Sequence, residues 1–343
     1  MSLRRRGPVI PDDPRRAGPG KILDGRFRLV DEIGRGGMST IFRAEDLQDG
    51  GRLVVVKVPL PMFASGLGAW SLFQQEEEIG RQMDHPFVLG FLALPPDRRR
   101  SYLVTEYVAG VSLATLLHQR GPLPEKEALT IVRKLCEAVA YVHERGFVHY
   151  DVKPDNVILC PDGTIRLIDF GLAHRATTSR FVLSRNAPAI GSSNYVAPEQ
   201  VKRLSGRTSV DIYALGAVLY EMLTGRAPFP NDDPFVVASA RLLGDPPAPT
   251  TLNPAISPAA EEIVLRALRR NPVERHPTAR ALLADLDRPD RVVVSGLARR
   301  LRPVTGARRF WRRARYVTLV ALLPLASQVA LFGLLWRHFA HKK

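Results

Sequence analysis

Eight consecutive residues, His149-Tyr150-Asp151-Val152-Lys153-Pro154-Asp155-Asn156, limit what this chain can fold into more than any other stretch. They set a carboxylate, a lysine two positions on and an amide three beyond that inside one short segment. Thirteen positions after Asn156 stands a second carboxylate, in Asp169-Phe170-Gly171, just ahead of a flexible glycine. Groups of this kind do little covalent work. They act by position and by neutralising charge, so the fold must bring two short segments to one point.

The chain has 343 residues, enough for one large or two ordinary domains. Its net charge of +15 is concentrated at the ends. Residues 1–20 carry five Arg against Asp12 and Asp13, and residues 288–343 carry thirteen Lys and Arg against Asp290 alone. The span 21–287 is neutral. A nucleic-acid-binding domain would carry its basic face on the fold, so no nucleic-acid partner is expected. Basic residues beside an apolar run fit contact with membrane lipids instead. Cys136 and Cys160 lack metal-ligand spacing and read as buried structural residues in a reducing compartment.

Residues 1–20, rich in Arg, Pro and Gly without an apolar run, read as a disordered basic arm. From Phe27 the pattern is strand-like. Ile33 leads into Gly34-Arg35-Gly36-Gly37-Met38-Ser39, then Thr40-Ile41-Phe42. Glycines in such a turn let backbone N–H groups approach phosphates, since no Cβ holds them off. A further strand runs through Leu53–Val58 and carries Lys57; a helix over 69–83 carries Glu76, Glu77 and Glu78. Strands are expected over 87–94 and 101–105, with the polar turn 95–100 between them. Helices are expected over 112–119 and 125–145, the second striped by Leu129, Val132, Leu135, Val139 and Val142 and ended by Gly146. Short strands over 157–159 and 165–168 flank the turn Pro161-Asp162-Gly163. Residues 172–190 read as a loop holding Thr177, Thr178, Ser179 and Ser184. A helix from Asp211 to Thr224 and a last one from about 278 to 286 follow. Residues 288–315 read as a basic linker. Val317 to Trp336 contains no charge, and twenty residues at about 1.5 Å each span a bilayer's hydrocarbon core. The arginines between Arg308 and Arg315 outweigh Arg337, Lys342 and Lys343, which puts the N-terminal side in the cytoplasm.

In this order the motifs resemble those of protein kinases. The glycine-rich turn resembles their phosphate loop, with Ser39 for its third glycine. Val55-Val56-Lys57 resembles their strand lysine, and Glu76, by its distance to His85-Pro86, their helix glutamate, with Glu77 one slip away. Glu106-Tyr107-Val108-Ala109-Gly110 resembles the hinge behind the gatekeeper position, Thr105. His149–Asn156 resembles the catalytic loop in its Ser/Thr style, because Lys153-Pro154 follows the aspartate. Gly191 to Glu199 resembles the end of the activation segment, with Ser192 where Thr is usual. Asp211 resembles the aspartate that braces the catalytic-loop backbone, and Arg275 the C-lobe arginine that pairs with a glutamate, here Glu199. Any one motif occurs by chance; nine in order with fitting gaps do not. The chain looks like a bacterial Ser/Thr kinase with a single C-terminal membrane span.

That resemblance implies an α+β bilobal kinase fold: an antiparallel sheet with one helix over 27–105, a hinge at 106–110 and a mainly helical lobe over 111–287. A transmembrane helix over 317–336 and a tail at 337–343 complete it. It implies ATP and Mg²⁺, with Mn²⁺ as an alternative ion, protein substrates, and room for a homodimer. Asp151 would take or orient the substrate hydroxyl proton, and Lys153 would neutralise the transferred group. Asn156 and Asp169 would hold the metal, and Lys57 and Glu76 would pair. Ile33, Gly34, Arg35, Gly36, Gly37, Met38, Ser39 and Ile41 would cover the nucleotide, while the backbone at Glu106 and Val108 would hold adenine. One departure matters: Tyr150 stands where an arginine usually pairs with an activation-loop phosphate, so activity is expected not to require that phosphate. The alternatives are a pseudokinase that acts as a tethered binding module, favoured by Ser39 and Tyr150, and a small-molecule phosphotransferase of related fold.

Overall fold

Alternating side chains build the first lobe. A computed structural model describes residues 17–36, 39–60, 67–94, 102–176, 194–202 and 207–303. Strands β1 (Ile22–Leu23), β2 (Phe27–Arg35), β3 (Ser39–Asp46), β4 (Arg52–Pro59) and β5 (Leu103–Glu106) form one antiparallel sheet in chain order. Phe27 and Leu29 of β2, Phe42 and Ala44 of β3, and Val54 and Val56 of β4 point to one buried face, as a period of two requires. β2 slips register twice against β3, between Leu29 and Asp31 and between Glu32 and Gly34. Such bulges bend the strand and re-aim side chains; Ile33 is left exposed. Buried Asp46 is satisfied by a two-pronged Arg26 guanidinium at 2.8 and 2.6 Å and by the Gln48 N–H.

Helix α1 (Leu67–Gly80) sets the Phe73 ring against Lys57 of β4 and buries Ile79 in the C-lobe core, starting two residues earlier and ending three earlier than expected. The expected strand over 87–94 does not form. Its backbone is divided between the lobes: Leu89 N–H donates to Leu167 O and Leu167 N–H to Phe87 O, while Leu92 N–H donates to Val104 O and Phe91 bridges Thr105. A segment pulled to both sides makes isolated bridges rather than a ladder. The expected turn over 95–100 lies outside the described residues, as does Ser101.

Past the hinge the chain turns helical. After β6 (Val111–Ser112), helix α2 (Leu113–Arg120) is capped by the Ser112 hydroxyl. Helix α3 (Glu125–Glu144) buries the stripe Ile131, Val132, Leu135, Val139 and Val142. Strands β7 (Phe147–Val148), β8 (Val157–Leu159), β9 (Ile165–Leu167) and β10 (His174–Arg175) are short; β8 pairs with β9 and β6, and β7 with β10. Helix α4 (Pro198–Val201) precedes α5 (Ser209–Thr224), which is apolar all round and buried along most of its length, as such helices are. Around it lie α6 (Pro234–Leu243), α7 (Pro249–Leu252), α8 (Pro258–Ala267) and α9 (Ala279–Asp287). Cys136 is buried and donates to Ala279 O, whereas Cys160 is only half-buried.

The chain beyond α9 keeps a fixed path to residue 303. Ser295 and Leu297, the latter opening α10 (Leu297–Arg300), donate to the Glu262 carboxylate, and Arg302 N–H donates to Asp245. The apolar run 317–336 lies outside the described residues; among those, no helix is long and apolar enough to cross a membrane.

Gly216 of α5 faces Ala267 of α8 so closely that a Cβ would sit 2.6 Å from the Ala267 Cβ. Gly216→Val should therefore overpack this crossing and cost about 1–3 kcal/mol. Urea unfolding should show a lower midpoint with an unchanged slope.

Candidate active site

The β8–β9 hairpin brings the two distant acidic segments together. Val157 pairs with Leu167, and Ile168 N–H donates to Asn156 O at 2.9 Å. Asn156 therefore enters the hairpin, and Asp169 leaves it, at the same open end. Asp169 takes a left-handed backbone, φ 67°, and its Oδ1 accepts the Gly171 N–H at 3.1 Å. A Cβ on Gly171 would meet Asp169 Oδ1 at 3.1 Å and Glu76 Oε2 at 3.3 Å, so a side chain there would crowd both carboxylates.

Lys57 Nζ reaches from β4 to Glu76 Oε1 and Oε2 at 2.8 and 2.9 Å, and to Asp169 Oδ1 at 3.2 Å. Of the neighbouring glutamates, it is Glu76 that pairs with the lysine. Lys57 and burial oppose each other at Asp169, and the lysine prevails with help from the Gly171 N–H. The Asp169 carboxyl is held at about 2 and stays ionised. Burial works against the Lys57 charge, yet Asp169 and Glu76 outweigh it and raise its pKa above the ordinary lysine value. Burial pushes the Glu76 carboxyl up, with Lys57 pulling against it and Asp169 adding to it. One cation thus serves two carboxylates.

Asp151 Oδ2 accepts from Lys153 Nζ at 2.8 Å and from Asn156 Nδ2 at 2.9 Å. Asn156 Nδ2 also donates to Asp151 O, leaving its amide oxygen for another partner. The loop's backbone is fixed from below by Asp211 at the start of α5. Its carboxylate accepts the N–H groups of His149 and Tyr150 and the His143 Nε2 proton, each at 2.8 Å. Burial opposes the Asp211 charge, but these hydrogen bonds and the nearby histidines hold its carboxyl below the ordinary value. Two successive N–H groups aimed at one carboxylate go with Tyr150's left-handed backbone, φ 64°.

A family model for the protein kinase domain matches residues 27–285. The chain belongs to the protein kinase family. Over 267 residues it is 33% identical to the probable serine/threonine-protein kinase PknB of Lactococcus lactis, an alignment covering 78% of this chain and 42% of that protein. It is 34% identical over 270 residues to serine/threonine-protein kinase PknB of Mycobacterium tuberculosis H37Rv, covering 78% and 43%. It is also 34% identical over 267 residues to serine/threonine-protein kinase PrkC of Bacillus subtilis, covering 78% and 41%. The chain spans less than half the length of these relatives.

The remaining kinase motifs fall around the same cleft. In the glycine-rich hairpin Gly34 pairs with Ile41 and Arg35 with Thr40, and Gly36 N–H donates to Ser39 O at 2.8 Å. Arg35 is forked onto Glu32, and Ser39 is buried. Gly37 and Met38 lie outside the described residues. Thr105 is buried at the back of the cleft, and half-buried Val108 lies in the hinge. The Glu106 side chain turns away from the hinge edge; its Oε1 accepts the Gly90 N–H at 2.9 Å, and its backbone N–H donates to Gly90 O. A Cβ on Gly110 would collide with Leu159 O, so the hinge crosses β8 only on a glycine.

Sequence reasoning missed His143, Gln75 and His174. Gln75 Nε2 donates to Ala173 O at 2.7 Å and lies 2.6 Å from His174 Nδ1, tying α1 to β10. The Tyr150 ring meets His174 edge-on at 6.1 Å. Burial lowers the pKa of His174, keeping it neutral and able to accept from Gln75; burial and Asp211 push the Tyr150 hydroxyl up to about 12. The Gln75–His174 contact from α1 to β10 thus joins uncharged groups, and an exposed Arg175–Glu78 ion pair at 3.6 Å runs beside it. Nothing in these residue types marks them; the signal is tertiary. Thr177, Thr178, Ser184 and Ser192 lie outside the described residues.

Glu199 and Arg275 form a buried two-pronged pair at 2.7 and 2.8 Å, and Arg275 also donates to Ser209 O and Arg269 O. Arg275→Leu strands the Glu199 charge and should cost about 3–5 kcal/mol in urea unfolding. Arg275→Lys should recover only part of that loss, because an ammonium cannot fork.

Proposed function

We propose that this chain is an active serine/threonine protein kinase that transfers the ATP γ-phosphate to protein hydroxyls, its own among them, while anchored to the cell membrane. One observation carries the reading: Lys57 is engaged at once by Glu76 and Asp169, beside an Asp151 already held by Lys153 and Asn156. Phosphoryl transfer needs position and charge neutralisation more than covalent chemistry. The Asp169 carboxylate, kept ionised by Lys57, and the amide oxygen of Asn156 are hard oxygen donors, which suit Mg²⁺ or Mn²⁺. When bound, that ion neutralises charge on the nucleotide's phosphates. Lys57 then holds phosphate oxygens, Asp151 orients the incoming hydroxyl and accepts its proton, and Lys153 offsets charge on the moving group. The hinge backbone at Glu106 and Val108 receives adenine, and the glycine-rich hairpin from Ile33 to Ile41 covers the phosphates.

Tyr150 offers no positive charge to a loop phosphate, and the Gln75–His174 contact already joins α1 to the activation segment. Activity therefore does not wait on phosphorylation at Thr177, Thr178 or Ser184. The arginines between Arg308 and Arg315 lie on lipid headgroups, and Val317 to Trp336 crosses the bilayer with the kinase domain in the cytoplasm.

With labelled ATP, Mg²⁺ and a basic protein acceptor, the wild type should label Ser and Thr. Asp151→Asn and Asp169→Asn should each lower the rate by about 10²–10³-fold or more, the scale lost with one preorganised charge-stabilising group. ATP binding without transfer, equal in all three proteins, would instead support a tethered binding module. Sedimentation of the full chain with membranes, lost on deleting 317–336, checks the anchor.

A further inference from the structure

We propose that residues 291–302 form a strap, docked on the C-lobe, that presents a folded face to the bilayer. Its exposed valines enter the headgroup layer and its arginines hold anionic lipid. The inference rests on the membrane reading above and goes further, because this lipid contact belongs to the folded C-lobe. The strap is fastened at two points. Glu262 of α8 is buried, and its carboxylate accepts the Ser295 N–H at 3.0 Å, the Leu297 N–H at 3.2 Å and the Ser295 hydroxyl. Between those donors Gly296 takes a left-handed backbone, φ 77°, which lets two N–H groups converge on one anion. A buried carboxylate is costly without donors, so lifting the strap away would strip Glu262 of all three. The second point lies just past α6. Arg302 N–H donates to Asp245 Oδ2 at 2.9 Å, Asp245 N–H donates back to Arg302 O at 3.2 Å, and Arg270 pairs with Asp245 Oδ1 at 3.2 Å.

Docking turns one valine inward and two outward. Val292 packs on the C-lobe core, whereas Val293 and Val294 are 82% and 51% exposed. Single exposed apolar side chains are ordinary. These two are consecutive and stand in a basic stretch: residues 288–303 carry five arginines against Asp290, and all five are exposed. No acid among the described residues pairs with any of them. Arg291 and Val293 border the same cleft of about 460 Å³ between the strap and α8, so a cation and an exposed apolar side chain lie together. Unpaired cations beside apolar groups suit the interface of an anionic bilayer. The charges meet headgroups while the apolar groups enter the boundary below them. Reach selects this partner over a soluble one. Thirteen residues, with five more arginines and no acid, separate Pro303 from Val317. Fully extended they span at most about 45 Å. With 317–336 in the bilayer, headgroups are therefore held at high effective concentration beside the strap.

The test reconstitutes the full chain into vesicles of phosphatidylcholine alone, and of phosphatidylcholine with about a third phosphatidylserine to set the surface charge. A nitroxide is placed on Val293→Cys in a Cys160→Ser background, where the remaining Cys136 is buried. It reports collisions with oxygen, which concentrates in lipid, and with a nickel chelate, which stays in water. Anionic vesicles should cut nickel collisions at least about threefold relative to neutral ones, and Arg299→Glu with Arg300→Glu, or high salt, should undo the effect. On anionic vesicles the Ser295 and Leu297 amides of the unlabelled chain should exchange at least about tenfold more slowly than in Glu262→Ala, which has lost their acceptor. A label equally open to nickel on both vesicles overturns the proposal and leaves the anchor standing. Exchange at 295 and 297 as fast as in Glu262→Ala overturns it too, because an undocked strap would then make the contact. Dipolar broadening between labels, in place of burial in lipid, would put a second copy of the chain on the patch and overturn it. Should Glu262→Ala fail to fold, the label comparison decides alone. A chain that washes off neutral vesicles yet stays on anionic ones through Arg299 and Arg300 removes the anchor and keeps the strap; one that washes off both removes both.

Discussion

The carboxylate of Asp211 is the constraint on which the rest of the cleft depends. It is fully buried and charged, a state that is costly unless every oxygen finds donors. Those donors are the backbone N–H groups of His149 and Tyr150 and the ring of His143. Satisfying one buried acid therefore fixes the backbone from which Asp151, Lys153 and Asn156 project. Because Asp211 sits in the first turn of an almost wholly buried helix, the loop inherits the rigidity of the C-lobe core. A reacting constellation needs support of this kind, since small misplacements are expensive in rate.

From that base the order passes upward through close contacts. The His149 ring bears on Phe170, Phe170 on Phe91, and Phe91 on the bare backbone of α1 at Gly80. Beside this apolar column run the polar links, Lys57 between Glu76 and Asp169, and Gln75 onto β10. Glycine recurs where backbone or ring must come close: Gly80 under Phe91, Gly110 over β8, Gly171 beside two carboxylates. At Gly80 and Gly110 a methyl group would force two segments of the cleft apart, and at Gly171 it would crowd both carboxylates.

Much of this was legible in the sequence because the chemistry demands particular groups at short fixed spacings. Asp151, Lys153 and Asn156 lie within six residues, and the structure gathers them, with Asp169, Lys57 and Glu76, around one cleft. The helices were readable where a stripe or an all-round apolar run declared itself, as in α3 and α5. The segment 87–94 was not readable. Its apolar residues suit a strand, but its backbone partners come from two lobes, and no local pattern encodes that division. Gln75, His143 and His174 were missed for a related reason. Each is an ordinary polar residue whose partner lies far along the chain, so its role exists only after folding. Phe91 passed as a strand residue, and only its contact with Gly80 gives it meaning.

On the proposed reading, Asp211, the Lys57 pairs and the contacts between α1 and β10 assemble this cleft without an activation-loop phosphate. The direct measurement is the initial rate of transfer to a protein acceptor by enzyme stripped of all phosphate, followed before Thr177, Thr178 or Ser184 regains any. The account predicts a rate within about threefold of the fully phosphorylated protein, with no lag, as expected when a modification carries little coupling energy. An inert stripped enzyme whose rate rises only as those residues become phosphorylated would contradict it.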